Sequence, residues 1–199
     1  MPTRLQHAYL LLCLAAAWPA WLRAQLLTYD VYWGKDKVGA MTVERRMQGG
    51  EEWLVSKAEV KLNMVFEVDL RFEFENVFVG GRLHRSVTSN YRNGARRNHS
   101  FGQLRGDAYE VNNDGEVSQT RPADIRYTVL RTYFAPPGDG QVFSERWGRY
   151  VPFVYEAGHN RYTIHLPSGD KNHYYYQNGV CTEIVVNHTL STLHFRLRS

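Results

Sequence analysis

The sequence predicts a mainly β protein: a single curved antiparallel sheet, half-barrel or barrel-like, with one short amphipathic helix packed on its concave face. Three observations carry this. Apolar and polar residues alternate with a period of two along most of the chain. Turn signals such as Gly80-Gly81, Asn93-Gly94, Asp114-Gly115 and Asn178-Gly179 separate the alternating runs, as hairpin loops needing φ > 0 do. Residues 123–134 depart from the pattern and place apolar residues at helical spacing.

Residues 1–24 read as a secretory signal peptide. Arg4 supplies the positive start, residues 9–22 (YLLLCLAAAWPAWL) form a charge-free apolar core, and Ala24 precedes a cut that leaves Gln25. The core is shorter than the roughly 20 residues of a membrane span. Export to the periplasm or beyond leaves 175 residues, read as one domain over residues 25–199. A chain of that size buries about 70% of its unfolded surface without cross-links. Cys13 leaves with the leader, so Cys181 stands alone and is expected to be a small buried hydrophobe. The leader carries Arg4 and Arg23 and no acid, so its loss lowers the net charge from +4 to +2. That charge is too mild to argue for nucleic-acid binding.

The first hairpin is LLTYDVYW, with Leu27, Tyr29, Val31 and Trp33 on one face, followed by the polar turn Gly34-Lys35-Asp36-Lys37. Tight folding there sets Val31 against Ala40 and lays Tyr32 across Gly39. In FEVDLRFEFE, Phe66, Val68, Leu70, Phe72 and Phe74 share one face and charged residues the other, the pattern of a sheet packed on one side. Counting outward from Gly80-Gly81 pairs Phe78 with Leu83, Phe74 with Val87 and Phe72 with Ser89. Counting from Asn93-Gly94 pairs Tyr91 with Arg96 and Ser89 with Asn98. These registers put Asn76, Arg85, Ser89, Asn98 and Ser100 on the face of Phe72 and Phe74, where they either reach solvent at a twisted edge or line a hollow. Later turns set Tyr176 opposite Cys181, and the chain ends on LHFRLR, which alternates again.

In residues 123–134, Ile125, Val129, Leu130, Tyr133 and Phe134 recur at helical spacing, with Thr120 and Pro122 suited to a helix start and Pro136-Pro137-Gly138 to its end. Such a helix buries its stripe against the apolar face of the sheet.

No nucleophile elbow, phosphate-binding loop, dinucleotide fingerprint or zinc-protease motif is present. The histidines are dispersed without a partner set of metal-ligand spacing. No catalytic residue, metal or cofactor is therefore assigned. An arginine-rich strip, Arg82, Arg85, Arg92, Arg96, Arg97 and Arg105, serves either as an anion site or as a charged guard on strand edges.

The stretches YDVYWGKDKVG, FSERWGRYVPF, YTIHLPSG and YYYQNGV resemble an uncharacterised family of exported bacterial β-proteins, a domain of unknown function. The shared outline is an aromatic first strand, the turn from Gly34 to Gly39, a short helix, and Ser144-Glu145-Arg146-Trp147-Gly148. The resemblance implies a curved antiparallel sheet partly wrapped round a helix, outside the cytoplasm, and brings no catalytic residue.

The expected function is thus a non-enzymatic binding module of the bacterial cell envelope. It would hold a lipid or other amphiphile under the helix, with Phe72, Phe74, Arg85, Val129 and Tyr133 as contacts and Arg85 as headgroup anchor. The alternative is a solid-core envelope protein acting through peripheral contacts, with no small-molecule ligand. The sequence leaves the oligomeric state open.

Overall fold

The computed structural model describes residues 24–63, 66–138, 140–188 and 191–198. Residues 1–23, most of the expected leader, lie outside them.

Fourteen strands follow in order: β1 (Gln25–Trp33), β2 (Asp36–Gln48), β3 (Glu51–Asn63), β4 (Glu67–Val79), β5 (Arg82–Arg92), β6 (Ala95–Arg105), β7 (Ala108–Asn113), β8 (Glu116–Thr120), β9 (Gln141–Ser144), β10 (Arg149–Glu156), β11 (Arg161–His165), β12 (Lys171–Gln177), β13 (Val180–His188) and β14 (Ser191–Leu197). They form one antiparallel sheet in the order β8-β7-β6-β5-β4-β3-β2-β1-β14-β13-β12-β11-β10-β9. Every neighbour is a hairpin partner except β1 and β14, so the first and last strands meet in the middle of the sheet. Alternation explains the packing: Tyr29, Val31, Val43, Leu54, Phe78, Leu83, Ile164 and Ile184 are buried on one face, while Lys57, Glu59 and Lys61 between such positions are exposed.

The sheet curls so that its two edges, β8 and β9, approach without joining in a ladder. The β9–β10 turn lies against the inner face of β6 to β8. Ser100 Oγ donates to the Arg146 carbonyl at 3.1 Å and Thr120 Oγ1 to the Gly148 carbonyl at 3.2 Å. The Tyr109 and Phe143 rings meet edge to face with centroids 5.5 Å apart. Gly148 permits this seam. Its φ is +60°, and a Cβ there would sit 2.4 Å from Ser118 Oγ and 2.9 Å from Val111 Cβ.

The expected helix is absent. Residues 123–128 run extended, and Val129–Tyr133 form a 3₁₀ turn. The backbone groups an α-helix would use internally are bonded instead to neighbouring strands and to the β6–β7 turn. Ala123 N–H donates to the Asp107 carbonyl, while the Ile125 and Tyr127 carbonyls accept from the Leu83 and Phe143 amides. Burial alternates accordingly, with Ala123 and Ile125 inside and Asp124 and Arg126 outside. Ile125, Thr128, Val129 and Thr132 are β-branched, which favours this outcome. Among the described residues no helix is long and apolar enough to cross a membrane.

Three of the expected registers are displaced by one residue. Phe78 does pair with Leu83, but His84 is extra in β5, so Phe74 faces Thr88 and Phe72 faces Asn90. Tyr91 does pair with Arg96, but Arg97 is extra in β6, so Ser89 faces His99 and Asn90 faces Asn98. In the first hairpin Val38 is extra, and Gly39 stands opposite Val31 rather than Tyr32. Each extra residue is a β-bulge, and beyond it the alternation changes face. Tyr176 and Cys181 pair as expected.

Candidate functional site

Antiparallel hairpins sort the turns to two ends of the curled sheet. One end carries Gly49-Gly50, Gly80-Gly81 and Gly106-Asp107, and residues 121–138 cross the bore there. Ion pairs and hydrogen bonds pin the crossing. Glu52, on the inner face of β3, takes Arg45 Nε at 2.7 Å and also binds Arg131 from the 3₁₀ turn. The Arg131 guanidinium lies 3.6 Å from the centre of the Phe78 ring. Tyr176 Oη donates to the Thr132 carbonyl at 2.7 Å, and Tyr133 meets Tyr29 edge-on with centroids 5.9 Å apart.

Beneath the crossing lies a buried polar knot. Glu145 Oε1 accepts from Asn76 Nδ2 at 2.6 Å and from the Leu130 amide at 3.2 Å, and Asn76 Nδ2 reaches Thr128 Oγ1 at 2.9 Å. Burial holds the Glu145 carboxyl above the usual carboxylate range, against the hydrogen bonds from Asn76 and the backbone. Cys181 is buried beside this region; its carbonyl accepts from Tyr29 Oη at 2.8 Å, and burial pushes its thiol pKa up. It has the marks of a packing residue rather than a nucleophile.

The other end of the bore differs. Its inner wall carries Leu70, Phe72 and Phe74 of β4, flanked across the strands by Val60, Ala58 and Ser56 of β3 and by Arg92, Asn90 and Thr88 of β5. Val60, Ala58, Ser56 and Thr88 are buried, whereas Leu70, Phe72 and Phe74 are only half-buried. Large apolar side chains thus stand above a floor of smaller ones, and solvent reaches them. The amide oxygens of Asn90, and of Asn172 on the inner face of β12, are buried without a hydrogen-bond partner. At the rim, Arg146 Nη2 donates to Asn98 Oδ1 at 3.2 Å. A depression of about 380 Å³ lined by Trp33, Asp36, Lys37, Val38, Lys61 and Asn63 adjoins the same end.

The family model for the domain of unknown function DUF6134 matches residues 29–198. The chain belongs to this family. Among curated proteins none matches it. Among solved structures it is similar to the beta-barrel-like protein of domain of unknown function DUF1849 from Brucella abortus, with a TM-score of 0.58 and 11% identity, covering 90% of this chain and 97% of that one. At that identity the likeness speaks for the fold alone.

Of the five residues expected to contact a ligand, the structure brings Phe72 and Phe74 together on the open inner wall. Val129 and Tyr133 lie in the crossing, and Tyr133 is linked to Phe72 through the cross-strand row Tyr29, Met41, Ala58. Arg85 is elsewhere. The bulge at His84 turns it to the outer face, where it lies 2.5 Å from Glu75 Oε1 and 5.4 Å from the Trp53 ring centre. Ser89 moves out with it, 3.0 Å from His99 Nδ1, and Ser86, Thr88 and Asn90 take the inner positions. Asn76 lies on the inner face, as the hairpin count placed it, whereas Glu145 and Arg146 were missed as interior groups. Their one visible signal was the compact Ser144–Gly148 segment, which here supplies the buried carboxyl, the rim guanidinium and the glycine of the seam.

Proposed function

We propose that this chain is an exported, non-enzymatic binding protein of the bacterial cell envelope, and that the open half of its bore holds the apolar part of a lipid or other amphiphile. The supporting observation is the half-buried apolar wall of Leu70, Phe72 and Phe74 inside a curled sheet whose opposite end is packed shut. Apolar surface facing solvent in a concave site gains free energy when an apolar chain covers it, about 25 cal/mol per Å². The ligand site therefore lies at the end away from the crossing rather than beneath it.

Titrating the exported chain with anilinonaphthalene sulfonate, then displacing the dye with palmitate, tests this. Saturable binding with competitive displacement is expected. Phe72→Ala should weaken palmitate uptake about tenfold. It should cost less stability than the roughly 3–5 kcal/mol of a fully buried phenylalanine, because its ring is already partly wet. Absence of saturable palmitate binding by the wild-type chain overturns the reading. The pinned crossing and the Glu145 knot favour a second reading, a solid-core envelope protein that works through surface contacts, and that same negative result would support it.

A further inference from the structure

We propose that Arg146 is the headgroup anchor of this bore and that the ligand is a single-chain amphiphile with a monoanionic, carboxylate head. The inference rests on the amphiphile reading above and goes further, to the chemistry of the head. The β9–β10 turn is held against the inner face of β6 by the Ser100 bond to its carbonyl, and this fixes the side chain at the open rim. Its Nη2 meets Asn98, whose cross-strand partner Asn90 faces Phe72 on β4. The guanidinium therefore stands two strands from the apolar wall, and the strand between carries Asn90, whose buried amide oxygen lacks a donor.

The charge around Arg146 narrows the choice of ligand. Asp114 in the β7–β8 turn, which accepts from Asn98 Nδ2 at 3.3 Å, and Asp170 just before β12 act on it through space, and neither accepts a hydrogen bond from Arg146 in the described contacts. Burial draws its pKa down, as for a cation removed from water without a contacting anion. A guanidinium retaining free N–H groups accepts a planar carboxylate in a two-point fork. Both aspartates repel every negative charge a head brings, and the cost of desolvating the head rises steeply with its charge, so one negative charge is accommodated against Arg146 better than two. A carboxylate head should thus bind better than a doubly charged phosphate, and both should differ from a neutral alcohol.

The test compares palmitate, hexadecyl phosphate and hexadecanol by dye displacement on the wild-type chain, Arg146→Gln and Arg146→Lys, with thermal unfolding confirming that each variant is folded. Expected on the wild type is palmitate binding about tenfold tighter than hexadecanol, as for a charge-assisted hydrogen bond in a partly screened site, with hexadecyl phosphate weaker than palmitate. Arg146→Gln should lose the preference for palmitate while keeping hexadecanol binding, and Arg146→Lys should retain part of it. Equal binding of palmitate and hexadecanol by the wild type, or a preference unchanged in Arg146→Gln, overturns the anchor and leaves the bore reading standing. A stronger preference for the phosphate overturns the carboxylate assignment. Failure of all three probes to bind overturns the bore reading and the anchor together. If Arg146→Gln fails to fold, Arg146→Lys decides: a palmitate preference equal to or above wild type would contradict the two-point fork.

Discussion

Glu145 shows how one residue ties the interior together. A carboxyl with no cation against it in the described contacts is taken out of water with Asn76, Thr128 and backbone amides as its donors, and burial outweighs them, so its neutral form is favoured. In the unfolded chain a glutamate ionises at about 4.3. Between that pH and the raised folded value the folded state holds more protons than the unfolded one. Its contribution is therefore full below about pH 4.3 and is lost as pH rises toward the folded value. Glu145→Gln, neutral at every pH, should flatten this part of the profile and be no less stable than wild type at pH 7. Urea denaturation from about pH 4 to 7 checks it; an unchanged slope in the variant would contradict the assignment. At this scale the sequence was half legible. The inward side of Phe72 and Phe74 was legible from alternation alone, which holds from Val68 to Phe74, while Phe66 falls before β4 and is exposed. Arg85 was misplaced because a count from the turn assumes an unbroken ladder, and nothing in the letters around His84 announces an extra residue.

Among the elements, the hairpins were legible and the crossing was not. Asn93, Asp114 and Asn178 all adopt positive φ in their turns, as do Gly80 and Gly81, so local turn chemistry located these loops correctly. Residues 123–134 carry apolar spacing that suits either a helix or a strand followed by a tight turn. The choice fell to partners distant in sequence, the Leu83 and Phe143 amides, which no local pattern contains. The seam is likewise invisible from one strand. Gly148 and Gly94 look alike in sequence and both have positive φ, but a Cβ at Gly94 meets nothing within 4 Å while one at Gly148 strikes Ser118 and Val111. Gly94→Ala should then cost only the conformational penalty, about 1 kcal/mol. Gly148→Ala should cost about 1–3 kcal/mol more through overpacking and speed amide exchange in β8 and β9. Equal unfolding midpoints for the two variants would show that the seam carries no weight.

For the molecule as a whole, the pairing of β1 with β14 turns two runs of hairpins into one curled sheet. Its edges meet at the Ser144–Gly148 turn, and one end is filled by the crossing. Alternation and turn spacing pointed to a curved antiparallel sheet, but which end closes depends on where residues 121–138 run, and that is a property of the assembled fold. The consequence is a bore with a packed, polar-knotted half and an open half lined by Leu70, Phe72 and Phe74 with Arg146 at its rim. Methyl-resolved NMR of the protein during a palmitate titration tests this division most directly. Val186 and Leu193 form a cross-strand pair on the inner face beside Trp33, at the open end; saturable shifts are expected at their methyl groups and at those of Leu70, with Val87 and Val154 on the outer face unmoved. Shifts confined to the outer methyls, or no saturable change at Leu70, would contradict it.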